Sequence, residues 1–180
     1  GDPRGEFVRI QVEAARLHPF DSRRQELDAR AEQLRREHEM RWLGGLADFV
    51  SRWEFERGLI RLELQTRQLR ARGLPAVMQL PEYAWVIALK LTNLDKASVA
   101  GFAVKGLVFP PLLSIPNVVA ADVRSITACQ ALVGVTHLEL CEGEIGAGGV
   151  STLVRSKNLA NLRHLDLRKN HVDKKAIQSL

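Results

Sequence analysis

A chain of 180 residues is long enough to bury a sizeable core, as one domain or as a small cap with a repeat array behind it. Hydrophobic residues at 46% and charged residues at 26% exclude a disordered tract. The net charge of +5 comes from 26 Lys and Arg interspersed with 21 Asp and Glu, as in Arg23-Arg24-Gln25-Glu26; that pattern marks a solvated helix face and argues against a nucleic-acid footprint.

The first predicted elements are helical. Phe7, Ile10, Ala14 and Leu17 recur at helical spacing. Pro19 breaks the run, and Ser22 with Gln25 offers a capping box for a second helix that turns Leu27, Ala31, Leu34 and Trp42 inward. Gly44 and Gly45 supply its C-terminal stop. Residues 1–50 are therefore expected to form a helical cap whose apolar stripe is a packing face. Gly1-Asp2-Pro3-Arg4-Gly5-Glu6-Phe7-Val8-Arg9-Ile10-Gln11, followed by Arg24-Gln25-Glu26-Leu27 and Trp42-Leu43-Gly44, resembles the back half of a bacterial repeat-companion domain. In that family the string precedes an Arg- and Glu-rich helix and commonly sits ahead of leucine-rich repeats. The family's preceding helix has no counterpart in this sequence, so the resemblance implies a chain that starts inside a domain. It carries no catalytic residue with it.

From Phe49 onward the apolar period shortens toward two, and Trp53, Phe55, Leu59, Leu62 and Leu64 bring in strand-like alternation. Leu62-Glu63-Leu64 returns 27 residues later as Leu89-Lys90-Leu91, and Leu138-Glu139-Leu140 returns at the same interval as Leu165-Asp166-Leu167. The last two copies agree beyond those leucines: Val135 with Leu162, His137 with His164, Ile145 with Val172, Val150 with Ile177, Leu153 with Leu180. In the middle the interval shortens, to 24 residues from Leu89 to Leu113 and 25 from Leu113 to Leu138. Five strands are thus predicted, near 62–64, 89–91, 113–115, 138–140 and 165–167. Pro116 weakens the third, because it donates no ladder hydrogen bond. Asn93, Asn117 and Asn170 follow the strands, where an amide side chain can satisfy turn backbone. Gly143 holds that place in the fourth unit and predicts a looser turn.

Each unit joins an L-x-L strand to a short segment of helical period, the signature of a leucine-rich repeat. The turn Glu144-Ile145-Gly146-Ala147-Gly148-Gly149-Val150 resembles the I-G-D-x-G-A stretch of ribonuclease-inhibitor-like repeats, and Val172-Asp173-Lys174-Lys175-Ala176 fits the same slot without glycine. The resemblance covers residues 59–180. It implies an α/β leucine-rich repeat solenoid over 51–180, with short parallel strands on the concave side, helices on the convex side and the N-terminal α-helical cap in front. Neither strand nor helix buries its apolar side alone, so stability is shared between stacked neighbours. Terminal repeats normally carry a polar outer face, and none follows Leu180; continuation of the chain or self-association at that C-terminal edge is expected.

The most apolar stretch, 99–121, carries Lys105, Pro110, Pro111 and Pro116 and is predicted to be buried repeat, with no membrane span. Cys129 and Cys141 match no zinc spacing and are expected as free thiols of a reducing compartment. With no charged and apolar leader at the start, a cytoplasmic location is expected.

Three columns of side chains are predicted to point away from the core. They read Arg61, Ala88, Leu112, His137, His164; then Glu63, Lys90, Ser114, Glu139, Asp166; then Gln65, Thr92, Pro116, Cys141, Arg168. His137 and His164 are expected as neighbours, with Glu139 and Asp166 beside them. Two imidazoles and two carboxylates are a conceivable zinc set. A copied unit, however, stacks like residues whether or not a ligand exists, so no metal is expected. The glycines of 143–149 form no phosphate loop, since Val150 takes the place of the lysine. On one strand, Cys141 and His137 lie more than about 10 Å apart. Neither an enzyme nor a cofactor is expected. The resemblance implies recognition of another protein through the concave face, at His137, Glu139, His164, Asp166, Arg168, Glu63 and Lys90. A structural spacer in a longer chain, and nucleic-acid binding by the Arg-rich cap, are the competing readings.

Overall fold

Two aspartates start the N-terminal helices. In the computed structural model, which describes residues 2–67, 69 and 73–172, the Asp2 carboxylate accepts from the Arg4 N–H at the head of α1 (Pro3–Ala14). Pro3 occupies a first-turn position, where a missing N–H costs nothing. Asp21 accepts from the Arg23 N–H at the head of α2 (Ser22–Leu43). The box expected from Ser22 and Gln25 therefore gives way to a cap one residue earlier. An ionised carboxylate there accepts more strongly than a hydroxyl and also complements the positive helix end. The two helices bury Phe7, Ile10 and Ala14 against Leu27, Ala31, Leu34 and Trp42, and Leu17 is partly buried. Gly44 ends α2 at φ 49°, and a Cβ at that position would overlap the Glu82 carboxylate.

The protein is α/β, built on one six-stranded and mostly parallel sheet whose strands lie in chain order. Its first strand was not among the five expected. β1 (Val50–Glu56) pairs antiparallel with β2 (Leu59–Gln65) across the two-residue turn Arg57-Gly58. Both turn residues have positive φ, 50° and 76°, the backbone that matches the right-handed twist of a tight hairpin. β3 (Val86–Thr92), β4 (Leu112–Ser114), β5 (His137–Glu139) and β6 (His164–Asp166) then follow in parallel. Leu62, Leu89, Leu113, Leu138 and Leu165 are register partners across five consecutive strands. The unequal intervals of the sequence are absorbed in the connections and leave that register intact.

Alternation does the rest. Leu62, Leu64, Leu89, Leu91, Leu113, Ile115, Leu138 and Leu140 are buried on one face of the sheet, while Leu165 and Leu167 at the β6 edge are partly buried. The helices α3 (Gly73–Met78), α4 (Lys96–Gly101), α5 (Ala120–Thr127) and α6 (Gly146–Val154) lie side by side in sequence order. Each contributes a pair three residues apart to the core, the second member for α4 being its C-cap: Leu74 and Val77, Val99 and Phe102, Val123 and Ile126, Val150 and Leu153. The next such pair, Ile177 and Leu180, lies outside the described residues, as does the expectation about the C-terminal edge. No helix among the described residues is long and apolar enough to cross a membrane.

Three turn expectations change. Pro116 does not weaken the β4–β5 pairing, because the flanking Ile115 and Asn117 N–H groups donate to Glu139 and Cys141 carbonyls at 2.8 and 3.0 Å. The missing donor falls on the β3 side, where the ladder stops at Ser114. Asn93 and Asn117 correspond to Glu142 and Lys169, not to Asn170; all four have left-handed backbone, with φ between 56° and 61°. Asparagine suits that position through its backbone tolerance. Of the three strand-end asparagines, Asn170 is the one whose amide bonds described residues: it is buried and its Nδ2 donates to the carbonyls of Leu140, Leu167 and Arg168. Gly143, expected to loosen its turn, sits in a tight one. It is buried, and a Cβ there would overlap the Val118 carbonyl oxygen, which accepts from the Glu144 N–H at 3.0 Å.

Candidate functional site

The uncovered face of the sheet carries the first two predicted columns in strict register. Arg61, Ala88, Leu112, His137 and His164 are successive partners, as are Glu63, Lys90, Ser114, Glu139 and Asp166. The imidazoles of His137 and His164 stand with ring centroids 5.7 Å apart and planes inclined by 31°. Thr136 Oγ1 lies 3.0 Å from His137 Nδ1.

Charge on this face is mostly settled within it. Lys90 Nζ lies 3.3 Å from Glu63 Oε2. Arg61 Nε donates to Glu56 Oε2 at 2.7 Å. Arg168 folds back on Asp166, with Nη2 2.6 Å from Oδ2 and Nε donating to both carboxylate oxygens. That guanidinium, helped by the Arg168 backbone N–H, holds the Asp166 carboxyl well below the usual carboxylate range. The Asp166 side chain is only 10% exposed, whereas that of Arg168 is 82% exposed. Glu139 differs: its carboxylate is exposed and makes no ion pair or hydrogen bond with any described residue. Beside it, burial and contact with Asp166 push the Cys141 thiol up, which keeps it protonated and a poor nucleophile.

A groove of about 250 Å³ opens over β1 to β5. Its floor is Ala88 and Leu112, short or apolar side chains between longer neighbours. Arg61 and His137 flank that floor along the first column, and Lys90, Ser114 and Glu139 line it along the second. Of the seven predicted binding residues, Glu63, Lys90, His137 and Glu139 border the groove. His164 and Asp166 on β6, and Arg168 two residues past its end, lie beyond it. Sequence reasoning missed the contribution of Arg52 and Trp53 from β1, because the hairpin stands outside the 27-residue unit. The Arg57-Gly58 dipeptide between two alternating runs was the available signal. Among the described residues, no group of three or more His, Cys, Asp and Glu side chains is placed to hold a metal ion.

A second concavity, of about 280 Å³, lies where α1, α2 and the 3-10 turn Pro81–Trp85 meet. The Arg4 guanidinium stacks 4.3 Å above the Trp85 ring and donates to the Gly58 carbonyl at 2.9 Å. It thereby ties the first helix to both the hairpin turn and the approach to β3.

Comparison of the chain with protein-family models, with curated proteins and with solved structures gave no significant match.

Proposed function

We propose that the chain is a leucine-rich repeat solenoid that docks a segment of another protein on its open, concave face. The repeated intervals of the sequence, the in-order parallel sheet and the side-by-side helices α3 to α6 support the architecture. The groove over Ala88 and Leu112 carries the functional reading. It combines an apolar floor with a polar rim on a sheet face that no other element among the described residues covers, the anatomy of a recognition patch. The arginines of α2 favour this reading over nucleic-acid binding, because five of the six, all but Arg41, are already paired with acids among the described residues. Arg35 and Arg36 pair with Glu32, Arg30 with Glu6, and Arg23 with Glu13 and Glu26. The free thiols of Cys129 and Cys141 suit a reducing, cytoplasmic setting.

Photo-crosslinking tests the reading. A photoreactive residue replacing Ser114 on the open face should give discrete protein adducts in cells, and the same residue replacing the exposed Arg124 of α5 should not. Adding Ala88→Trp, which fills the floor, should remove the Ser114 adducts. Equal adducts from both positions, or adducts indifferent to Ala88→Trp, would rule the open face out as the docking surface.

A further inference from the structure

We infer that the groove takes an extended peptide segment bearing one apolar side chain and, within about three residues of it, a lysine or arginine. The inference rests on the docking reading above and assigns the chemistry of what docks.

Charge complementarity on the open face leads to this assignment. Each basic side chain that the first two columns present already has an acid: Arg61 has Glu56 at 2.7 Å and Lys90 has Glu63 at 3.3 Å. On β1, Arg52 and Glu54 line the groove's edge as register partners of Glu63 and Arg61, so each faces an opposite charge across the pair although neither forms an ion pair with a described residue. At the β6 end, Asp166 is taken by Arg168. Between these compensated stretches stands Glu139, exposed and without an ionic partner among the described residues. A docked cation fits there with no rearrangement of existing pairs, whereas an anion docked beside Arg61 or Lys90 would have to break one. Beside it the Ser114 side chain, which makes no hydrogen bond to a described residue, is a polar group that an extended backbone can meet.

The apolar half of the ligand follows from the floor. Ala88 and Leu112 are register partners, and their row is interrupted by Arg61 on one side and His137 on the other. An apolar side chain laid there is walled at both ends. Glu139 is one strand over and two residues along from Leu112, which puts the two positions about 8 Å apart. Two or three residues of extended chain span that distance. The basic residue must therefore be close to the apolar one in the partner's sequence.

Random dodecapeptide display on the immobilised full chain is the experiment, with recovered peptides measured individually by fluorescence anisotropy. Recovered sequences should carry an apolar residue with Lys or Arg no more than three positions away. Glu139→Gln should weaken them at least tenfold, and Glu139→Lys should turn selection toward Asp and Glu. Ala88→Trp should abolish binding while leaving the far-UV circular dichroism unchanged; if that variant misfolds, the exposed Glu139 substitutions decide the matter by themselves. Peptides that lose binding with Ala88→Trp but show no basic preference would overturn this inference and leave the docking reading standing. Peptides indifferent to both substitutions would sink the two together. Failure to recover any peptide overturns the inference, as does a concentration-dependent dimer that Glu139→Lys dissociates, since the occupant would then be a second copy.

Discussion

At the β1 edge of the sheet, Trp42 stands between Phe7 and Phe55, with ring centroids 5.0 and 5.5 Å away, and Phe55 meets Phe7 edge-on at 6.1 Å. Helix α1 also reaches the strand through polar groups: Gln11 Nε2 donates to the Phe55 carbonyl, and its Oε1 accepts from the Gly58 N–H. At the β6 edge the side chains are aliphatic, and Leu165 and Leu167 are only partly buried. Between the edges, each leucine meets a copy of itself from the neighbouring strand. The contrast separates two ways of closing a core. A helix pair meeting a hairpin leaves an irregular space, which large aromatic rings fill by tilted and edge-on contacts. Along the strands, stacked copies leave a regular space, which aliphatic side chains of similar size fill without any special fit.

Substitutions can sharpen or break that contrast, and the largest effect belongs to the aromatic cluster. Trp42→Ala should cost about 3–5 kcal/mol in chemical denaturation, since three elements lose their shared contact. Leu138→Ala, in the middle of the ladder and fully buried, should cost about 2–4 kcal/mol. A larger loss at Leu138 than at Trp42 would reverse the ranking. Asn170→Ala strips the buried amide from the carbonyls of Leu140 and Leu167 and should cost about 1–3 kcal/mol by the same measurement. Among the left-handed turn residues, Asn93→Ala should destabilise by about 1 kcal/mol, whereas Lys169→Gly should stabilise by a similar amount by relieving φ 60°. The smallest effect on stability is expected from the Asp166–Arg168 pair, which lies in solvent on the arginine side. Its signature is a titration. By NMR the Asp166 carboxyl should titrate below the ordinary value of about 3.9, and Arg168→Ala should bring it back up. Because the folded value is depressed, whatever stability the pair adds is present above the unfolded value and is lost as pH falls through the folded one.

Much of the sheet was legible in the leucines. Register depends on which face is buried, and a one-residue slip would have put Leu89 or Leu113 into solvent; the spacing therefore carried the pairing across unequal intervals. The columns of the open face followed for the same reason, down to the His137–His164 pair. The hairpin strand was not legible as a sixth strand because it belongs to no repeat. The turns were misread where one residue type serves two purposes. Asn93 and Asn117 supply left-handed backbone, Asn170 supplies an amide, and the letter is identical. Gly143 read as slack because the sequence does not show which backbone approaches it, here the Val118 carbonyl.

By itself, then, the order of residues determined the positions of β2 to β6, their parallel succession and the identity of side chains on each face, because period and burial act locally and repeat with the unit. Only the tertiary structure decided where those side chains matter. The groove exists where Ala88 and Leu112 lie between Arg61 and His137, and Glu139 is left without an ion pair among the described residues because Lys90 and Arg168 meet other acids. Both are properties of distances between strands, and neither is written in any single one of them.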